Sequence, residues 1–147
     1  MAETTDADRF QALLAAVSRG MKARADRALG EHGARVGQQF ILECLWREDD
    51  QTPGELAGRI GVETPTVTRA AQRMEAAGLV TRHPDPGDAR LVRVRLTARG
   101  RALRGVIPAA LRRVTDDALR GLTAGERAEL ERLLERVRRN LAGADGA

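Results

Sequence analysis

The segment from Pro84 to Gly100 limits the fold of this chain most. Pro84-Asp85-Pro86-Gly87-Asp88 reads as a tight turn, and Leu91-Val92-Arg93-Val94-Arg95-Leu96 behind it alternates between apolar and basic residues. A two-residue period after a Pro/Gly turn marks the return strand of a β-hairpin, because successive strand side chains point to opposite faces. Leu79 to Arg82 then supplies the outgoing strand, and Arg90 sits at the tip. Asp88, two residues before Arg90, is placed to hold its guanidinium in a fork.

The rest of the chain reads as helix. Phe10, Leu13, Leu14, Val17 and Met21 recur at helical spacing and continue to Ala25 and Leu29, so a long amphipathic first helix ends near Gly30 to Gly33. Gln38 to Trp46 forms a second helix, followed by an acidic loop, Glu48-Asp49-Asp50. Thr52-Pro53 opens a third, with Glu55 completing a capping box. Gly61-Val62-Glu63 is a short turn, and Thr64-Pro65 repeats the cap-plus-Pro start for a fourth helix that runs through Met74 to Gly78. Ala98 to about Leu119 reads as a helix bent or split by Pro108. The last helix starts at Leu122-Thr123, with Thr123 and Glu126 as a further capping box. Leu130, Leu133, Leu134, Val137 and Leu141 line one of its faces, and residues 143–147 read as a frayed end.

Leu56 to Val62 followed by Thr64 to Arg69 has the form of a helix-turn-helix. Ala57 is small where the helices cross, and Gly61 makes the turn. Val67, Ala70, Ala71 and Met74 fall toward a core. Thr64, Thr66, Thr68, Arg69, Gln72 and Arg73 fall on the open side. That set matches duplex DNA: hydroxyls suit phosphates or thymine methyls, Arg pairs with guanine and Gln with adenine. With the hairpin directly behind it, the unit is a winged helix-turn-helix, whose tip Arg90 suits a narrow minor groove. The fold class is mainly α with a small β-hairpin wing.

Charge agrees with this. The 147 residues carry a formal net charge of +4. Glu63 to Arg104 holds nine Arg and no Lys against four acidic residues, a surplus of +5 that leaves −1 for the remainder. Cys44 is the only cysteine, so no intrachain disulfide forms and a reducing compartment fits. The opening M-A-E-T-T-D-A-D has neither a basic nor an apolar leader region, and no apolar run reaches the roughly 18 residues of a membrane helix. A single domain in the cytoplasm is the expectation, with no membrane partner.

The run Asp88-x-Arg90-x-x-x-Val94-x-Leu96-Thr97-x-x-Gly100 resembles the wing signature of the MarR family, the multiple-antibiotic-resistance-type regulators. Thr66-Val67-Thr68-Arg69, with Arg73-Met74-Glu75-x-x-Gly78-Leu79-Val80, resembles that family's recognition helix and its exit. The likeness extends over nearly the whole chain. One departure is Glu63, where the family often has a capping Ser; Thr64-Pro65 takes over the helix start. The resemblance implies a transcriptional regulator, a repressor relieved by a small molecule or a chemical signal, that binds a palindromic operator as a homodimer. It implies a winged lobe over about residues 36–100 and dimerisation helices over about 6–30 and 101–142. The apolar stripes fit that arrangement: Phe10, Leu14 and Val17 on the first helix, and Leu130, Leu133, Leu134, Val137 and Leu141 on the last.

Other readings are weaker on the residues. Cys44, one turn after Phe40, reads as a packing residue rather than a redox switch. His32, His83 and Cys44 lack metal-ligand spacing, so neither metal nor cofactor is expected. Trp46, Phe10 and Phe40 are the only aromatics, so an effector pocket would be mostly aliphatic. No Ser-His-Asp or Cys-His pairing and no phosphate-binding Gly loop occurs, which argues against an enzyme. A winged helix used solely as a protein–protein adaptor is the alternative function.

Overall fold

A computed structural model describes residues 5–144. The order is α1 (Asp6–Gly30), α2 (Gln38–Arg47), α3 (Pro53–Ile60), α4 (Thr64–Ala76), β1 (Val80–Pro84), β2 (Val92–Leu96), α5 (Ala98–Ala102), a 3-10 turn (Leu103–Gly105), α6 (Ile107–Ala118) and α7 (Ala124–Ala144). This is a mainly α fold with one antiparallel hairpin. The chain divides into two compact units, residues 1–114 and 115–147.

In the first unit α1 starts at a capping box that sequence reading did not single out. Thr5 Oγ1 accepts from Asp8 N at 3.2 Å while Asp8 Oδ2 accepts from Thr5 N at 2.9 Å. Residues 5–20 are exposed throughout, and Leu29 is the buried residue of the helix. The core lies beyond it. Leu42 and Leu45 of α2, Leu56 of α3, Val67, Ala71 and Met74 of α4, Leu79, Val80, Val94 and Ile107 form one buried cluster. The hairpin closes this cluster with Val80 opposite Leu96 and Arg82 opposite Val94. The expected alternation is present: Val94 and Leu96 are buried while Arg93 and Arg95 face outward. The strands differ slightly from expectation, since β1 extends to Pro84 and Leu91 belongs to the turn.

Pro108 sits at the second position of α6, where a missing N–H is harmless, and the break falls earlier, at the 3-10 turn. The second unit contains the end of α6 and α7. Thr123 and Glu126 cap α7 reciprocally, with Glu126 N donating to Thr123 Oγ1 at 3.2 Å and Thr123 N to Glu126 Oε2 at 2.8 Å. The helix continues through Ala144, so residues 143 and 144 are helical rather than frayed; residues 145–147 lie outside the described residues.

Candidate nucleic-acid interface

The site is built on the α3–α4 pair. Thr52 and Glu55 fix the start of α3 by a capping box, and Gly61 ends it at φ 80°, a left-handed conformation that glycine adopts without strain. Val62 N donates to Ala57 O at 3.1 Å and completes the turn. The start of α4 corrects the sequence expectation. Its N-cap is Glu63, whose side chain makes no capping bond, and Thr64 is already helical with Pro65 behind it. The cap residue is the one with extended backbone, φ −74° and ψ 143°, and that residue is Glu63.

Val67, Ala71 and Met74 are buried, so the opposite side of α4 is open. Thr64, Thr66, Arg69, Gln72 and Arg73 are exposed there and Thr68 is half-buried. Thr68 Oγ1 donates to Thr64 O at 3.1 Å, so its hydroxyl hydrogen is committed and it offers outward a lone pair and a methyl group. The side chains of Arg69, Gln72 and Arg73 have no hydrogen bond or ion pair within the chain among the described residues.

The wing tip carries the fork read from sequence. Arg90 Nε donates to Asp88 Oδ1 at 3.0 Å and Arg90 Nη2 to Asp88 Oδ2 at 3.1 Å, while the Arg90 backbone N–H adds a third bond at 3.0 Å. These bonds hold the Asp88 carboxyl below the usual carboxylate range. The Arg90 side chain remains 90% exposed. Asp85 shapes the loop by accepting from Gly87 N at 2.7 Å and Asp88 N at 3.0 Å. An open cavity of about 350 Å³ connects the two candidate elements, with Thr64, Thr68, Arg82 and Arg90 in its lining.

The acidic loop has a role that sequence reading missed. Gln51 makes a single antiparallel bridge to Val94, and beside it Asp50 adopts φ 62°. Asp50 Oδ1 accepts from Arg93 Nε at 3.0 Å and Arg95 Nε at 2.9 Å, and Asp85 Oδ2 takes Arg93 Nη1 at 2.7 Å. Asp49 accepts from Leu96 N at 2.9 Å and Arg101 Nη2 at 3.0 Å. Glu75 takes the Arg82 guanidinium at 3.0 and 3.1 Å. Five of the nine arginines in the basic window, residues 82, 90, 93, 95 and 101, are thus paired with carboxylates. Arg99 instead donates to Ala77 O and His32 O, at 2.6 and 3.0 Å.

The Arg95 guanidinium is the first cause of the depressed Asp50 pKa, desolvation opposes it, and Arg93 adds to it; Arg93 depresses the pKa of Asp85 and Arg82 that of Glu75. A carboxyl whose pKa is lower in the folded state stabilises the fold above its unfolded value, about 4, and this support disappears as pH falls through the folded value. Thermal stability is therefore expected to be insensitive to these groups from pH 5 to 8 and to drop below about pH 4. Asp50→Asn tolerates the left-handed backbone but removes the charge. Hydrogen exchange near pH 7 should show faster opening of residues 84–96 in that variant, and unchanged protection there would refute the role of Asp50 in anchoring the wing.

The apolar stripes are open within their own units. Phe10, Leu14 and Val17 are exposed on α1; Leu130, Leu133, Leu134 and Leu141 are exposed on α7, with Val137 half-buried. Cys44 is half-buried against the core, and His83 Nε2 lies 2.8 Å from Thr81 Oγ1. Among the described residues no three His, Cys, Asp or Glu side chains converge to hold a metal ion, and no helix is long and apolar enough to cross a membrane.

Comparison with known proteins agrees with this geometry. Residues 36–92 match the model of the MarR family. Over 100 residues, 67% of this chain, the sequence is 33% identical to the HTH-type transcriptional repressor NicR of Pseudomonas putida. Over 125 residues, 84% of this chain, it is 32% identical to the HTH-type transcriptional regulator TtmR of Methylorubrum extorquens. The chain spans 63% of the length of each of these relatives. A crystal structure of a MarR family transcription regulator superposes with a TM-score of 0.76 at 28% identity, covering 94% of this chain and 93% of that one.

Proposed function

The chain belongs to the MarR family of winged helix-turn-helix proteins, and from that premise we propose that it is a DNA-binding transcriptional regulator: a homodimeric repressor of a palindromic operator, relieved by a small-molecule or chemical signal. The observation that carries this is the pairing of two preformed readers. One is α4, where the side chains of Arg69, Gln72 and Arg73 have no partner within the chain among the described residues. The other is Arg90, held by Asp88 in a fork on a thin hairpin.

The helix suits a major groove. Thr64 and Thr66 at its first turns meet phosphates or thymine methyls, and Thr68 offers its oxygen and methyl. Arg69 and Arg73 present forks to guanine or phosphate, and Gln72 suits adenine. The wing suits the adjacent minor groove, where Arg90 meets concentrated negative potential and Asp88 fixes its direction. The stripes on α1 and α7 are each open within their own unit, and a second copy of the chain is the cover that suits them. Two-fold symmetry then sets the recognition helices about 34–36 Å apart, one helical turn of DNA. Repression follows the naming of one relative. The cavity between α4 and the wing gives a small-molecule signal a seat beside both readers.

The test is selection of bound duplexes from a random pool, followed by fluorescence anisotropy titration at two salt concentrations. Operator affinity should greatly exceed that for random duplex and fall steeply with salt; a protein adaptor would bind neither. Arg90→Ala should weaken operator binding by roughly 1–3 kcal/mol and Arg69→Ala should relax preference at one position or weaken all sequences equally. Full affinity and unchanged preference in both variants would remove α4 and the wing as readers.

A further inference from the structure

The formal charge surplus lies in residues 63–104, yet one cluster of cations draws on residues from outside that window as well. Arg19, Lys22, Ala23 and Asp26 of α1, Arg35 and Val36 of the following loop, and Arg73 of α4 line one open crevice of about 560 Å³. Asp26 is its single carboxylate and is fully engaged. It accepts from Arg35 Nε and Nη2, both at 2.9 Å, and from Val36 N at 3.2 Å, and the Arg35 guanidinium is the first cause of its depressed pKa. The Asp26–Arg35 pair is neutral as a unit. The side chains of Arg19, Lys22 and Arg73 remain, and none of them has a hydrogen bond or an ion pair within the chain among the described residues, although Lys22 is near enough to Asp26 to add to the lowering of its pKa. Arg19 and Lys22 are three residues apart on α1 and share a face, and both are exposed.

Three like charges converging on one concavity repel one another unless an outside anion sits among them, and such a cleft attracts anions strongly. The shape and lining select the kind. Small organic ligands bury themselves against apolar walls. Here Ala23 and Val36 are the only apolar residues in the lining. Arg73 stands one turn after Arg69 on the same helix, so the crevice is continuous with the open side of α4.

We infer that this crevice is a further phosphate-contact surface for duplex DNA, in which Arg19 and Lys22 of α1 extend the contact that Arg73 begins. The inference rests on the reading of α4 as a DNA-recognition helix and adds to it a set of backbone contacts outside the winged unit. Contacts of this kind position the protein on DNA and carry no sequence preference.

The experiment uses the full chain and compares wild type, Arg19→Gln/Lys22→Gln, and Arg69→Ala. Binding to operator and to random duplex is followed by anisotropy between 50 and 200 mM salt, and thermal unfolding verifies the fold of each variant. The double variant should weaken both duplexes by the same factor. Its slope of log K against log salt should shrink by about one for each phosphate that is no longer engaged. Isothermal titration of the DNA-free protein with inorganic phosphate forms a second arm. An unchanged slope and affinity in the double variant, while Arg69→Ala weakens binding, overturns the inference and leaves the reading of α4 intact. Saturable phosphate binding that the double variant loses with no change in its DNA slope also overturns it, in favour of a free anion. If Arg69→Ala leaves binding to both duplexes unchanged, the α4 reading fails and the inference fails with it.

Discussion

Gly100→Ala is expected to lower the stability of the fold by about 3 kcal/mol, the upper end of the cost of overpacking. A Cβ at Gly100 would stand 2.1 Å from the Leu79 carbonyl oxygen and 3.1 Å from Leu96 Cδ2. The nearer atom is backbone and cannot rotate away. The same carbonyl accepts from Thr97 N and Thr97 Oγ1, both at 3.1 Å, so it is held in place from the helix that carries Gly100. Gly100 O meanwhile accepts from Trp46 Nε1 at 2.9 Å, which ties α5 to α2. Accommodating one methyl group therefore means moving α5 and weakening these bonds. Differential scanning calorimetry should show a melting point lowered by roughly 6–12 °C, given about 2–4 °C per kcal/mol at this size. A melting point within 2 °C of wild type would refute the close approach.

Leu134→Asp should have the largest effect on function. Leu134 is 48% exposed at the middle of the α7 stripe, on a helix with no buried side chain among residues 124–143. If the stripe meets that of a second copy, the substitution places an unpaired carboxylate in an apolar interface at two symmetry-related positions, at a cost of several kcal/mol. Dimerisation should be lost at micromolar concentration. Specific DNA binding should be lost with it, because two half-sites must be held at fixed spacing. The winged lobe contains no part of α7, and its near-native circular dichroism should persist. Analytical ultracentrifugation decides the matter. Wild type should sediment as a dimer of the 15.9 kDa chain, and a wild-type monomer would refute both the dimer and the palindrome.

What could be read from the sequence depended on how far apart the interacting residues are. Thr52 with Glu55, Thr123 with Glu126, and Asp88 with Arg90 are two or three residues apart, and each was legible as a local pattern that the structure contains. The wing was legible because alternation in Val94 and Leu96 is a property of one strand. The break before α6 was legible in kind through Pro108, but its position was not, since proline tolerates more than one place in a first helical turn. The same ambiguity moved the start of α4 by one residue. The pairing of Asp50 with Arg93 and Arg95 spans 43 and 45 residues. Nothing local marks Asp50 as an anchor rather than a solvated loop acid. The crevice of Arg19, Lys22, Arg35 and Arg73 was hidden for the same reason, because counting charge along the chain ignores which residues folding brings together.

Five window arginines being paired internally bears on how a DNA reader finds its target. In a genome, about 10⁶–10⁹ random sites compete with each operator, and undirected attraction to phosphate is what holds a regulator on them. Arginines held by carboxylates away from the wing tip, such as Arg82, Arg93, Arg95 and Arg101, add little to that attraction, whereas the exposed Arg90 is aimed by its carboxylate rather than withdrawn. With much of the arginine of this window balanced by carboxylates, a chain this rich in arginine would spend less time trapped on irrelevant DNA. Its occupancy of the right sequence would then depend on the ratio between specific and background binding more than on total charge.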